Sequence, residues 1–167
     1  QCFRWEKVSD DTYRVPAYGV MLDIRECPEG IINLSCSENE YRDVWKNYFD
    51  MDFDYRTHAE NACSLIGSDY LTNAVKYSEG IRILRQELWE TTVSFIISAN
   101  NNIPRIRKIL SALCIGNAAF PAPDDIISMG IEKIRECGTG YRDRYLIKAA
   151  EFFLERDVLS ELQGLDY

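Results

Sequence analysis

With 167 residues, 46% of them hydrophobic and 12% aromatic, the chain can bury a sizeable core as one domain or as two small ones. Its 19 basic and 27 acidic side chains sum to −8, which argues against a partner held by a uniformly basic surface. No stretch approaches the roughly 20 apolar residues that cross a bilayer, and the N-terminus has no basic-then-apolar secretory layout.

The charge is unevenly spread. Residues 101–150 hold more basic than acidic groups, which permits one basic face on an acidic body and equally describes a solvated helix surface. The six cysteines form no C-x-x-C pair and His58 is the only histidine, so no zinc or iron–sulfur spacing exists, and neither metal nor other cofactor is expected. Cys114 follows Ala112 and Leu113 in an apolar stretch, as a free core cysteine does, and a reducing cytoplasm is the expected compartment.

From the N-terminus to about Ser37 the chain offers short runs, Thr12–Val15 and Gly19–Ile24, parted by turn signals at Ser9-Asp10-Asp11 and Cys27-Pro28-Glu29-Gly30. This predicts an antiparallel meander of three or four strands, which needs a second layer over its apolar face. The texture changes at Ser37, a capping serine ahead of Tyr41, Val44, Trp45 and Tyr48 at helical spacing. Helices are predicted near 38–50, 56–66, 69–78, 87–99, 103–114, 123–136 and 140–155, with a short one after Leu159.

The alternating run Gly80–Gln86 is expected to cross between two domains, an N-terminal sheet with helices over 1–80 and a helical part over 81–167. Trp45, Tyr48 and Phe49 are expected to be core between them. The fold class is therefore α+β, an antiparallel sheet domain followed by part of an all-α domain. His58 lies in a polar helix-like stretch and is expected to be exposed. Asp50-Met51-Asp52-Phe53-Asp54 lacks the spacing of a calcium loop and reads as a turn.

Two junctions carry side chains suited to nucleic acid. Asn100-Asn101-Asn102-Ile103-Pro104-Arg105 places amides and a guanidinium at a helix start, where Asn102 can cap and Pro104 is tolerated in the first turn. Such groups read base edges, and the same residues suit a capped turn between two core helices, which from spacing alone is the plainer account. At Cys137-Gly138-Thr139-Gly140-Tyr141-Arg142, glycines release one helix, and an aromatic that can wedge into a base stack precedes an arginine. A glycine C-cap followed by a surface Tyr-Arg pair fits equally.

Taken with Gln1-Cys2-Phe3-Arg4-Trp5, Trp45–Asp50, Gly80–Gln86, Phe95–Ile103 and Gly140–Tyr145 in order along the chain, these junctions resemble the 8-oxoguanine DNA glycosylase/AP lyase family of the helix-hairpin-helix glycosylase superfamily. The resemblance implies base-excision repair, in which oxidised guanine is flipped out of the duplex. It implies that Asn100, Arg105 and Arg142 contact the cytosine left unpaired, that Tyr141 wedges into the stack, and that Phe95 and Ile103 line the lesion pocket. The implied partner is duplex DNA with 8-oxoguanine opposite cytosine, in the nucleoid of a bacterium or the nucleus of a eukaryote.

The family's Schiff-base lysine follows a hairpin absent from these 167 residues, and none of the six lysines here has that context. Its accompanying aspartate is also placed downstream, so no catalytic residue is assigned. The chain alone is expected to bind DNA poorly, to catalyse nothing and to self-associate through uncovered apolar surface. A glycosylase for alkylated bases and a non-catalytic DNA- or protein-binding module on the same fold are the alternatives.

Overall fold

The computed structural model describes residues 3–114 and 119–163. Gln1 and Cys2, which open the first matching stretch, lie outside the described residues. Contacts gather the chain into two compact units, one running through Ser35 and resuming at Gln86, the other spanning Cys36–Arg85.

The first unit begins with the meander that the turn signals call for. Strands β1 (Glu6–Lys7), β2 (Thr12–Ala17), β3 (Val20–Glu26) and β4 (Ile32–Leu34) pair antiparallel in the order β1-β2-β3-β4. Ala17 faces Val20 across a two-residue turn in which Tyr18 and Gly19 both have positive φ, 50° and 77°. That pair of conformations matches the twist of the flanking strands and fixes their register. Val15, Ala17 and Leu22 are buried on the covered face, and Pro16 between the first two is buried as well.

The same unit continues with α5 (Leu88–Ser98), α6 (Ile103–Cys114), α7 (Pro123–Ile134), α8 (Asp143–Glu155) and α9 (Val158–Gln163). Ile106, Ile109, Leu110 and Leu113 lie at i, i+3, i+4 and i+7 on α6 and are all buried. They pack with Val93 and Ile97 of α5, Ile126 and Ile134 of α7, and Leu146 and Ala150 of α8. Each fully buried Leu or Ile contributes about 1.5–3 kcal/mol of transfer free energy, so this cluster holds the helices together. Helix α7 bends at Gly130, whose φ of 75° and ψ of 163° are non-helical.

The N-terminal segment is attached to these helices at three points. Phe3 packs against the core cluster. Arg4 Nη1 donates to Glu90 Oε2 at 3.0 Å with both side chains buried, and Arg107 donates to the Trp5 carbonyl while lying over its ring. These ties group the strands with the later helices.

The second unit holds α1 (Glu38–Glu40), a wider π-turn over Tyr41–Trp45, α2 (Lys46–Tyr48), α3 (Tyr55–Ile66) and α4 (Asp69–Tyr77). Ser37 Oγ accepts from the Glu40 amide at 3.2 Å and Glu40 Oε2 accepts from the Ser37 amide at 2.9 Å, a reciprocal cap. Trp45 and Tyr48 are buried, with Phe49 stacked beside Trp45. Asp50, at a φ of 50°, closes the turn that follows and accepts from Tyr55 Oη and Arg85 Nε at 2.8 and 2.7 Å. His58 is exposed.

Candidate nucleic-acid interface

Helix α5 ends at Ser98 and α6 begins at Ile103, and the four residues between them spend their polar groups unequally. Asn101 Nδ2 donates to the Ile97 carbonyl at 3.0 Å, closing the end of α5. Asn102 Oδ1 accepts from the Arg105 amide at 3.0 Å, and its carbonyl accepts from the Ile106 amide at 2.9 Å. Asn102 is therefore the N-cap that its position in the sequence implies.

Asn100 is different. It is exposed, it holds a φ of 48°, and its side-chain amide has no partner among the described residues. A left-handed backbone costs about 1–2 kcal/mol for most L residues and least for asparagine and aspartate. The fold therefore holds one amide outward, free to donate and accept at once.

The facing wall comes from the segment between α7 and α8. Gly138 (φ 91°) and Gly140 (φ 61°) take conformations that a Cβ disfavours, and an added Cβ at Gly138 would sit 3.6 Å from Ile109 Cγ1. The buried Thr139 donates from Oγ1 to the Ile134 carbonyl at 3.0 Å. Asp143, also buried, accepts from Arg135 Nε at 2.7 Å and from the Arg144 amide at 2.6 Å. This double tie pins the start of α8, and the sequence offers only an unremarked acid after Arg142 as its signal.

Arg105 is exposed at the start of α6 and leans across the gap, with Nη2 3.5 Å from the Gly138 carbonyl. Tyr141 stands out at 60% exposure with Tyr145 edge-on beside it. Phe95 and Ile103 are 77% and 60% exposed, unusually open for such side chains. Arg142 is the exception: it is 4% exposed, and its guanidinium faces inward onto main-chain carbonyls. The structure thus presents Asn100, Arg105, Tyr141, Phe95 and Ile103 to solvent and places Arg142 beneath them.

Among the described residues no group of three or more His, Cys, Asp or Glu side chains is arranged to hold a metal ion. No helix among them is long and apolar enough to cross a membrane. The described cysteines Cys27, Cys36, Cys63, Cys114 and Cys137 are free thiols, and burial pushes the Cys114 thiol up to about 11, out of the reactive range. A cleft of about 400 Å³ runs along α6, but its Arg4 and Arg14 already pair with Glu90 and Asp23.

The family model described as 8-oxoguanine DNA glycosylase, N-terminal domain, matches residues 1–92. The N-glycosylase/DNA lyase of Saccharomyces cerevisiae is 45% identical over 85 residues, covering 43% of this chain and 23% of that protein. The N-glycosylase/DNA lyase OGG1 of Arabidopsis thaliana is 26% identical over 163 residues, covering 87% of this chain and 44% of its own length.

A Clostridium acetobutylicum 8-oxoguanine glycosylase/lyase in its apo form superimposes with a TM-score of 0.85 at 30% identity, over 99% of this chain and 61% of that one. The same enzyme with duplex DNA containing cytosine opposite 8-oxoguanine gives 0.83 at 30% identity, over 99% and 60%. A 3-methyladenine DNA glycosylase from Archaeoglobus fulgidus gives 0.62 at 14% identity, over 93% and 59%, which shows the fold alone. The chain thus spans less than two thirds of the length of each of these relatives.

Proposed function

Because the chain belongs to the 8-oxoguanine DNA glycosylase family, we propose that it forms the orphan-base-reading part of an enzyme that flips 8-oxoguanine out of duplex DNA and excises it, with associated strand-cleaving lyase activity. The observation that carries this reading is the outward, unpartnered amide of Asn100, whose carbonyl meets Arg142 while the exposed Arg105 reaches from the same loop to the Gly138 carbonyl beside Tyr141. An asparagine amide offers a donor and an acceptor together, and an arginine adds a planar fork, which suits the Watson–Crick edge of an unpaired cytosine.

Tyr141 fills the stack beside the vacated site, and Phe95 and Ile103 offer apolar surface to the flipped base. Flipping costs a few kcal/mol, and groups that occupy the hole and hold the orphan base offset it. Arg142 belongs to the same DNA-contacting set from below. The nucleoid or the nucleus is the matching compartment. A boundary near residue 80 between an N-terminal domain and a helical one is part of the proposal, supported by the match of the family's N-terminal model to residues 1–92.

None of the six lysines follows a hairpin of the kind that carries the family's Schiff base, so these 167 residues alone are proposed to bind DNA poorly and to excise nothing. Exposed Leu65, Tyr70 and Tyr77 support self-association, which sedimentation would measure.

The test is duplex binding by fluorescence anisotropy, with 8-oxoguanine opposite cytosine or opposite adenine. Wild type is expected to prefer cytosine, and Asn100→Ala to lose roughly tenfold in affinity for that duplex, or about 1–3 kcal/mol for one lost base contact. Equal binding of both duplexes by wild type would sink the proposal, as would an Asn100→Ala variant that keeps full preference.

A further inference from the structure

The turn that projects Tyr141 contains two glycines in conformations that an L side chain disfavours, Gly138 at a φ of 91° and Gly140 at 61°. Glycine backbone is the most pliable in a chain, so a turn built this way is a hinge unless something spans it. Two side-chain bonds do so. Inside the turn, Thr139 Oγ1 donates to the Ile134 carbonyl at 3.0 Å. From one end of it to the other, Arg135 Nε donates to Asp143 Oδ2 at 2.7 Å.

The outer bond is unevenly placed, with the Asp143 side chain 1% exposed and that of Arg135 56%. Asp143 Oδ1 also accepts from the Arg144 amide at 2.6 Å, at the start of α8, where a helix favours a carboxylate. A buried carboxylate needs a counter-charge, and among the described residues Arg135 is the cation that pairs with it. The arginine thus reaches down from the surface and closes a strap over both glycines.

Tyr141 stands on this turn, with its ring 4.5 Å from the Arg142 guanidinium carbon and edge-on to Tyr145. An aromatic that wedges between bases has to unstack them, and the stack pushes back on the ring. On a free glycine hinge the ring would swing aside and the stack would stay closed. With the strap in place the push passes into α7 and α8, whose Ile134 and Leu146 sit in the core.

We infer that Arg135 and Asp143 are a positioning pair that stiffens the turn behind Tyr141, so that its ring opens the base stack and is not deflected by it. The inference rests on the function proposed above. Neither residue touches DNA in this role, and both act through Tyr141.

The experiment uses Asp143→Asn, Arg135→Ala, Arg135→Lys, Tyr141→Ala and the double variant Tyr141→Ala/Asp143→Asn in the full-length enzyme proposed above, with two duplexes. In the first, 8-oxoguanine opposite cytosine has to be unstacked, and single-turnover excision is timed. In the second, a stable abasic analogue opposite cytosine leaves the stack already broken, and affinity is measured. Asp143→Asn and Arg135→Ala are expected to slow excision roughly tenfold while changing affinity for the abasic duplex by less than about twofold, because no base remains to be forced out. The double variant is expected to lie within about twofold of Tyr141→Ala alone. Arg135→Lys keeps a cation near Asp143 without the planar fork and is expected to recover part of the rate. A cooperative melt verifies each fold, and the half-exposed Arg135 supplies the test should Asp143→Asn fail to fold.

Excision at the wild-type rate in Arg135→Ala would overturn the strap. So would comparable losses on the two duplexes, which mark general damage to the fold, or losses from Tyr141→Ala and Asp143→Asn that multiply. If wild type excises no 8-oxoguanine, the proposed function fails, and amide hydrogen exchange at residues 138–142 decides the strap alone: exchange roughly tenfold faster in Arg135→Ala supports it, and unchanged exchange overturns it.

Discussion

Three adjacent asparagines divide three tasks. Asn101 closes one helix, Asn102 opens the next, and Asn100 is left facing outward. The cap at Asn102 was legible in the sequence, because an amide immediately before a Pro-containing first turn has few other uses. The isolation of Asn100 was not legible, since neither its left-handed backbone nor the meeting of its carbonyl with Arg142, 42 residues away, leaves a mark in a run of three like residues. Asn102→Ala is expected to lower stability by about 1 kcal/mol, within the 0.5–2 kcal/mol range for cap removal, measured as a reduced midpoint in urea. A midpoint equal to wild type would mean that solvent satisfies those amides equally well.

At the scale of elements, periodicity located nearly every helix, because an apolar stripe at i, i+3, i+4 and i+7 is a direct image of one buried face. The π-turn over Tyr41–Trp45 and the bend at Gly130 left no such image. Trp45 at the end of the π-turn and Ile126 and Ile134 on either side of the bend are all buried, so the pattern reads through them. Among the described residues the stretch 80–86 alternates like a strand yet joins no sheet: within the second unit, residues 80–85 are held by side chains and by the Arg85 amide, which donates to the Tyr48 carbonyl at 2.9 Å. Arg85 Nε donates to Asp50 Oδ1, Arg82 Nη1 donates to the Asp50 carbonyl at 2.8 Å, and the Ile83 amide donates to Tyr55 Oη at 3.0 Å.

Asp50 is thus the latch of that segment, and the adjoining Arg85 holds its carboxyl below the usual carboxylate range. A carboxylate whose folded pKa is depressed contributes stability that is complete above its unfolded value, near 3.9, and lost as pH falls through the folded one. The latch is therefore expected to hold at neutral pH and to open only in stronger acid, where pepsin cleavage within 80–86 would report it. At neutral pH Asp50→Asn is expected to speed tryptic cleavage after Arg82 and Arg85 several-fold. Unaltered digestion would assign the ordering of the segment to its backbone contacts.

Across the whole molecule the net charge of −8 opposes a polyanion, so any affinity for DNA depends on local cations at the interface. Arg144 is exposed at the start of α8, next to Tyr141 and Arg142 in the chain, and its side chain has no partner among the described residues. If it meets a phosphate, Arg144→Ala makes the log–log dependence of affinity on salt shallower by about one, with orphan-base preference unchanged. An unaltered slope in the same titration would remove Arg144 from the interface. The sequence conveyed the family through ordered short matches, whereas the grouping of the strands with the late helices rests on Phe3, Arg4 and Trp5 meeting partners that no local pattern announces.

That grouping bears on the order of events during synthesis. The salt bridge between Arg4 and Glu90 joins positions 86 residues apart, and the whole second unit is translated between them. As the ribosome releases the chain from its N-terminus, the strands emerge long before the helices that seal their segment, while Cys36–Arg85 can settle first. A nascent chain stalled before Glu90 would thus carry a finished insert beside an unsealed sheet, and a chaperone that binds open apolar strands would find its substrate there.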